Sequence, residues 1–361
     1  MDASLEKDAP MHSNRVTKRF PYSRPQKIKK SSVGFTVTYM DNILSLTDVK
    51  VYFHLRKGFF GSSDIRAVDG VSLEIRNGET MAIVGESGSG KTTLGRVALR
   101  LLEPTSGSIV FQGKDISHAS EGSLGWLRRQ AQPIFQDPYS SIDTFMNVHQ
   151  IIEEPLVIHK IGTSEERRET VKKSLRDVRL TPEDDFIRKY PHQLSGGQRQ
   201  RVSMARALVL EPKFIVADEP VSMIDASSRA EILFLLKELQ GSKGISFLYI
   251  THDIATARYF ADRIAVMYLG RLVEVGLPRQ IIEDPLHPYT KALIEAVPEA
   301  DPKNRLRERK VIPGEPASPT DIPSGCRFHP RCEYAIKGKC ERDDTYLQEE
   351  KPDHFVACHL Y

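Results

Sequence analysis

No stretch of this 361-residue chain approaches the roughly 18 consecutive apolar residues that a membrane-crossing helix needs. If the protein serves a membrane, other chains must do the crossing. The first eight residues are acidic and lead into no apolar run, which argues against a secretory signal. Cysteine is missing until position 326, so no disulfide framework can staple the bulk of the chain. A strong charge of one sign is missing too. The 51 basic and 48 acidic residues leave a net +3, too little to mark the whole surface for nucleic acid, and none is expected as a partner. No internal repeat is found. Hydrophobic residues make up 40% and charged residues 27%, the balance of a soluble globular chain able to bury a core unaided.

Three textures follow one another. Residues 1–40 are polar and basic, with Lys18, Arg19, Lys27, Lys29 and Lys30 among prolines and serines, and a disordered, solvated tail is expected there. Residues 41–284 alternate short apolar runs with longer helical segments. The runs at 81–84, 214–217 and 246–250 are continuously apolar, as suits parallel strands covered on both faces by helices. Residues 264–275 alternate around Leu269-Gly270 and predict a hairpin. The fold class is therefore α/β. Over residues 285–361 eight prolines fall between Pro285 and Pro323, which argues for a looping, irregular extension.

The run at 81–84 leads into Gly85-Glu86-Ser87-Gly88-Ser89-Gly90-Lys91-Thr92, which fits the phosphate-binding loop G-x-x-x-x-G-K-[ST] and opens a helical stretch. Its glycines let backbone N–H groups turn inward around phosphate oxygens, and the helix N-terminus adds free donors. Lys91 is placed to reach the β- and γ-phosphates, Thr92 to ligate Mg²⁺, and Thr93 to join the loop in holding nucleotide. The run at 214–217 ends in Asp218-Glu219. Asp218 is placed to hold Mg²⁺, and Glu219 to polarise the attacking water. Between them, Ser195-Gly196-Gly197-Gln198 precedes an amphipathic stretch, an N-cap with exposed donors that makes a second anion site.

The order of these parts resembles the ABC ATPase family, a P-loop NTPase fold with an antiparallel β subdomain and a helical subdomain, here expected over about 138–200. In that family two ATPases meet head to tail, so the resemblance implies that Ser195, Gly196, Gly197 and Gln198 cap the ATP held by a partner. It further implies that Gln136, in Phe135-Gln136-Asp137-Pro138, is the glutamine that touches Mg²⁺ and water and faces the membrane subunits. Asp225 falls in the loop that contacts the partner ATPase, and His252, after the third apolar run, matches the histidine that contacts the γ-phosphate. Phe53, with Tyr52 in reserve, falls where the family stacks an aromatic on adenine. The catalytic set is then Lys91, Gln136, Glu219 and His252.

Residues 286–293, 312–316 and 325–332 resemble the oligopeptide/dipeptide importer branch. That resemblance implies two transmembrane permease chains, a second ATPase (a related chain or another copy), an extracellular solute-binding protein, and a peripheral place on the cytoplasmic face of the membrane. Some branch members carry oligosaccharides or nickel instead. Cys326, Cys332, Cys340 and Cys358 are spaced C-x5-C-x7-C-x17-C, without the C-x2-C knuckles of most structural zinc sites. Zinc, free thiols and an iron–sulfur cluster all remain open on spacing, with Cys₄ ligation favouring the cluster. Some branch members hold a [4Fe–4S] cluster in this region. Two rivals from other classes are a soluble ABC ATPase acting on nucleic acid or ribosomes, and an iron–sulfur regulator. The tandem ATPase domains or coiled-coil inserts of the first are missing, and the full catalytic set argues against the second as the main role.

Overall fold

The computed structural model of the chain describes residues 42–57, 61–137, 142–296 and 318–361. The basic tail expected over residues 1–40 lies outside them, as does the start of the expected helical subdomain at 138–141. The chain opens on a long hairpin, β1 (Asn42–Lys57) and β2 (Gly61–Arg76), then β3 (Thr80–Val84) and α1 (Lys91–Ala98). Next come β4 (Ser106–Phe111), β5 (Lys114–Asp115), α2 (Gly125–Gln130) and β6 (Ala131–Ile134). A helical region follows, with α3 (Val148–Ile158), α4 (Ser164–Asp177), α5 (Glu183–Ile187) and α6 (Gly196–Leu208). The chain returns through β7 (Phe214–Asp218), α7 (Ala226–Lys243), β8 (Ser246–Thr251) and α8 (Ile254–Phe260). It ends with β9 (Arg263–Tyr268), β10 (Arg271–Gly276), α9 (Pro278–Glu283), α10 (Pro288–Glu295), β11 (Gln348–Lys351) and β12 (His354–Val356).

The main sheet runs β11-β12-β10-β9-β3-β8-β7-β6, and the strands from β9 to β6 are parallel. A smaller antiparallel sheet, β2-β1-β4-β5, lies apart from it. The continuously apolar runs are buried on both faces, and alternate residues enter different cores. Met81 and Ile83 pack with the antiparallel sheet and α1, whereas Ala82 and Val84 pack on the side of the helical region. Residues 247–250 divide in the same way. The predicted hairpin is β9 and β10, paired across Leu269 and Gly270.

In the helical region, Asn147 caps α3 and Thr163 caps α4, each in a reciprocal pair with Gln150 or Glu166. Val171 and Leu175 then turn one face of α4 inward, while its other positions carry the charges of a solvated surface.

Of the C-terminal extension, residues 297–317, with Pro298, Pro302, Pro313, Pro316 and the motif at 312–316, lie outside the described residues, and parts of the rest form regular elements. Pro288 sits at the first position of α10, where its missing N–H costs nothing. The hairpin of β11 and β12 adds two strands to the main sheet through β10. Glu274 in β10 ties the two parts together. Its fully buried carboxylate accepts the N–H groups of Leu286 (2.8 Å) and His287 (2.9 Å) and meets His354 Nε2 at 2.7 Å. Replacing Glu274 by Ala strands three buried groups, and removing one side of such a buried pair costs about 3–5 kcal/mol. The expected result is a markedly lower urea midpoint for Glu274→Ala, with proteolytic release of the extension at denaturant concentrations that leave the unaltered chain intact.

Candidate functional site

The P-loop leaves the end of β3 and turns directly into α1. Gly90 caps that helix with φ 102°, and a Cβ there would sit 2.0 Å from the Ala67 carbonyl oxygen, so only glycine fits. Gly95, one turn on, lets α1 press against Ile250 and Val216, where a Cβ would come within 2.6 Å. Lys91 is buried and curls over its own loop, donating to the carbonyls of Gly85 and Glu86 at 2.8 Å each. Burial lowers its pKa, while Glu219, Asp218 and Glu86 act to raise it. Ser87 and Gly88 are exposed, Ser89 is buried, and Thr92 and Thr93 are half-buried at the helix start.

Asp218 and Glu219 end β7 beside this loop. Burial pushes the Asp218 carboxyl above its usual range, opposed by a hydrogen bond with Thr92 and assisted by the charge of Glu219. Asp218 Oδ1 is buried and accepts no hydrogen bond. A buried acidic oxygen without a donor, next to a threonine hydroxyl, is the donor set a hard divalent cation takes, so these residues fit Mg²⁺. Glu219 has φ 45°, a left-handed backbone uncommon for glutamate and of a kind that concentrates at functional sites. Its N–H donates to Ile250 O at 2.8 Å, which anchors the strained residue to β8. One carboxylate oxygen accepts Gln136 Nε2 at 2.9 Å and the other meets His252 Nδ1 at 2.9 Å. Gln136, Glu219 and His252 thus form one hydrogen-bonded row, although 83 and 33 residues separate the two partners from Glu219.

Ser195 caps α6 in a reciprocal pair with Gln198, the Gln198 N–H donating to Ser195 Oγ at 3.2 Å and the Ser195 N–H to Gln198 Oε1 at 3.0 Å. Within 4 Å, the space beside Gly196 and Gly197 is bounded by Met223, Ile224 and Ser228, and by no atom of the P-loop. Asp225 caps α7 by accepting the Ser228 N–H at 2.9 Å. The turn therefore packs beside the 222–225 loop and the start of α7. In β1, Phe53 is exposed at 39%, whereas the Tyr52 hydroxyl is bonded to Asp69 and its pKa is raised to about 12, chiefly by burial. Phe53 is the ring left free to meet a ligand.

The C-terminal extension also reaches the site, which nothing in the motifs foretold. Tyr289 Oη accepts the Glu86 N–H at 2.8 Å, and Arg331 holds the Glu86 carboxylate through Nη1 at 2.9 Å and Nη2 at 3.2 Å. Phe328 packs edge-on to Tyr268 and tilted against Tyr289, with ring centroids 5.4 Å apart in each case. The four cysteines are free, and all line one small cavity of about 10 Å³ with His287, Phe328 and His359. Burial raises the Cys326, Cys332 and Cys358 thiols, Cys358 to about 11, and the neighbouring thiols push in the same direction. Among the described residues, no three His, Cys, Asp or Glu side chains form a group placed to hold a metal ion. The four thiols are soft donors lining one cavity, but the ligand geometry of a metal site is not formed among the described residues.

A phosphate loop opening a helix, an acidic strand end beside it and the hydrogen-bonded row at Glu219 define an ATP-hydrolysing cassette. A family model described as ABC transporter matches residues 68–222, and one described as oligopeptide/dipeptide transporter, C-terminal region, matches residues 273–340. The oligopeptide transport ATP-binding protein AppF of Bacillus subtilis is 46% identical over 330 residues, 90% of this chain and 99% of that protein. The dipeptide transport ATP-binding protein DppF of Haemophilus influenzae is 41% identical over 317 residues, 88% of this chain and 96% of that one. Among solved structures, the cassette MJ0796, a dimer bound to ADP and Pi, superposes with a TM-score of 0.59 at 31% identity, covering 65% of this chain and 99% of that one. CbiO1 of Clostridium perfringens, part of the transporter complex cbiONQ, matches with the same score and identity over 68% and 92% of the two chains. The chain belongs to the ATP-binding subunits of ABC transporters, and it carries the C-terminal region of the oligopeptide/dipeptide group. It is an ATPase, and subunits of this kind pair with one another and work with membrane permeases. No helix among the described residues is long and apolar enough to cross a membrane.

Proposed function

We propose that this chain energises peptide import as one of two ATPases on the cytoplasmic face of a permease pair, with an external solute-binding protein delivering the peptide. The observation that carries this reading is the union, on one chain, of a complete hydrolytic row at Glu219 and a C-terminal region of the oligopeptide/dipeptide type. The relatives' names, oligopeptide and dipeptide transport, support the substrate class.

The residues divide the work as follows. Phe53 stacks on adenine. The P-loop from Gly85 to Thr92, with Thr93, cradles the phosphates, and Lys91 leaves its carbonyl partners for the β- and γ-oxygens. Thr92, Asp218 and Gln136 would hold Mg²⁺, and the ion would supply charge neutralisation on the phosphates. Glu219 accepts the proton of the attacking water, and Gln136 and His252 keep its two oxygens aimed. His252 also turns to the γ-phosphate. Ser195, Gly196, Gly197 and Gln198 cap the ATP of the partner ATPase, and Asp225 lies at the contact between the two. ATP binds the closed pair more tightly than the open one, and that difference drives the permeases from one state to the other.

An apolar groove of about 270 Å³ opens between β6 and the helical region, lined by Leu101, Pro133, Phe135, Pro155, Ile158 and Leu210. Phe135 adjoins Gln136, so a permease segment seated in this groove would bear directly on the catalytic row. The four thiols hold a [4Fe–4S] cluster in this reading, supported by their convergence from positions 326 to 358 around one cavity. The cluster would supply a covalent clamp across the extension.

Three outcomes test these assignments. Glu219→Gln should bind ATP, accumulate as the closed pair and lose about 10²-fold or more in hydrolysis rate, read by phosphate release; steady turnover would remove Glu219 from its role. Protein purified without oxygen should contain iron and sulfide in equal amounts and absorb broadly in the visible, and Cys332→Ser should lose both; absence of iron would leave the cysteines as plain thiols. Mild-detergent extraction of native membranes should recover the tagged chain with two polytopic permeases and a solute-binding protein. Recovery in the soluble fraction alone would overturn the transport assignment and leave the ATPase.

A further inference from the structure

Glu86, the second residue of the P-loop, has every polar group engaged. Its carbonyl accepts Lys91 Nζ, its N–H goes to Tyr289, and its carboxylate is gripped by both terminal nitrogens of Arg331. The last two partners lie 203 and 245 residues downstream, in the C-terminal extension. Arg331 is itself fixed. Its side chain is 7% exposed, it lies 6.0 Å from the Tyr268 ring centroid, and it donates to Tyr268 Oη at 3.4 Å. It stands on the short loop between Cys326 and Cys332, and Arg327 on the same loop pairs with the buried Asp69 and donates to the Leu269 carbonyl. Two arginines thus pin one loop to the nucleotide-binding half of the molecule at two places.

A carboxylate on the loop that must hold a triphosphate is an electrostatic liability. Like charges held several ångströms apart in a partly buried setting repel one another and weaken binding. The bidentate guanidinium removes that cost in two ways, cancelling the charge and holding the carboxylate toward the extension. We propose that Arg331 is a positioning residue for ATP, acting through Glu86, so that the extension sets the nucleotide affinity of this cassette. The role rests on the P-loop's binding of ATP and adds a determinant outside the core motifs. Arg331 governs binding and leaves the hydrolytic row untouched, so its loss raises KM and spares kcat.

The test is equilibrium binding of mant-ATP, a fluorescent ATP analogue, with Mg²⁺ to the full-length chain. Arg331→Met should weaken binding about tenfold at low salt, with kcat within about twofold of the unaltered chain. That defect should shrink as salt is raised, since it is a charge repulsion at a partly exposed loop. The double variant Arg331→Met, Glu86→Gln should recover most of the lost affinity, which a general loosening of the loop would not permit. Unchanged affinity in Arg331→Met, or a double variant no tighter than the single one, would overturn the proposal. If Arg331→Met does not fold, Glu86→Gln alone decides the matter. It leaves the guanidinium without its counter-charge beside the phosphates and should tighten binding about threefold, whereas weaker or equal binding refutes the role. Failure of the unaltered chain to bind mant-ATP at all would instead count against the ATP site.

Discussion

The parallel pairing of β3 with β8, and of β8 with β7, brings the carboxyl ends of three strands to one edge of the main sheet, and the chemistry of the molecule depends on that edge. β3 delivers the P-loop, β7 delivers Asp218 and Glu219, and β8 delivers His252. Parallel strands need crossover connections, and those crossovers carry β4 and β5 of the antiparallel sheet, the helical region, α7 and α8. Burial on both faces makes the register unambiguous, because residues 81–84 send alternate side chains into two separate cores. A slip of one residue would exchange those cores and move the loop off its helix.

Unusual backbone and buried polarity meet at the ends of β3 and β7. Glu219 carries a left-handed backbone, Asp218 an acidic oxygen without a donor, and Lys91 a buried ammonium held by loop carbonyls. Each is unfavourable alone, and together they are matched to a cationic metal and a polyanionic substrate. Within one chain the turn at residues 195–197 packs beside Met223, Ile224 and Ser228.

The described part of the extension is tied closely to the rest of the molecule. It is stitched to β10 through Glu274, contributes two strands to the main sheet, and places Tyr289 and Arg331 on the P-loop. The motif around His287, Pro288 and Tyr289 acquires a physical meaning here. His287 Nδ1 accepts the Tyr289 N–H at 3.0 Å, Pro288 starts α10, and the Tyr289 hydroxyl meets the loop. A region whose residues resemble a transporter branch thus also touches the P-loop.

Local signals determined much of this protein. Gly90 and Lys91 mark a phosphate loop because only glycine tolerates the required backbone, and the apolar runs before Gly85 and at 214–217 mark buried strands because no half-exposed strand could be so uniformly apolar. The hairpin at Leu269-Gly270 was equally legible from its alternation. Tertiary structure alone decided which distant side chains meet. Gln136, Glu219 and His252 form one row only because β6, β7 and β8 lie side by side, and no spacing in the chain encodes that adjacency. The same holds for Arg331 and Glu86, and for four thiols gathered from positions 326 to 358 around one cavity. Periodicity reports which face of an element is buried; what that face is buried against depends on contacts between residues far apart in sequence, and those are chosen by the packing of the whole.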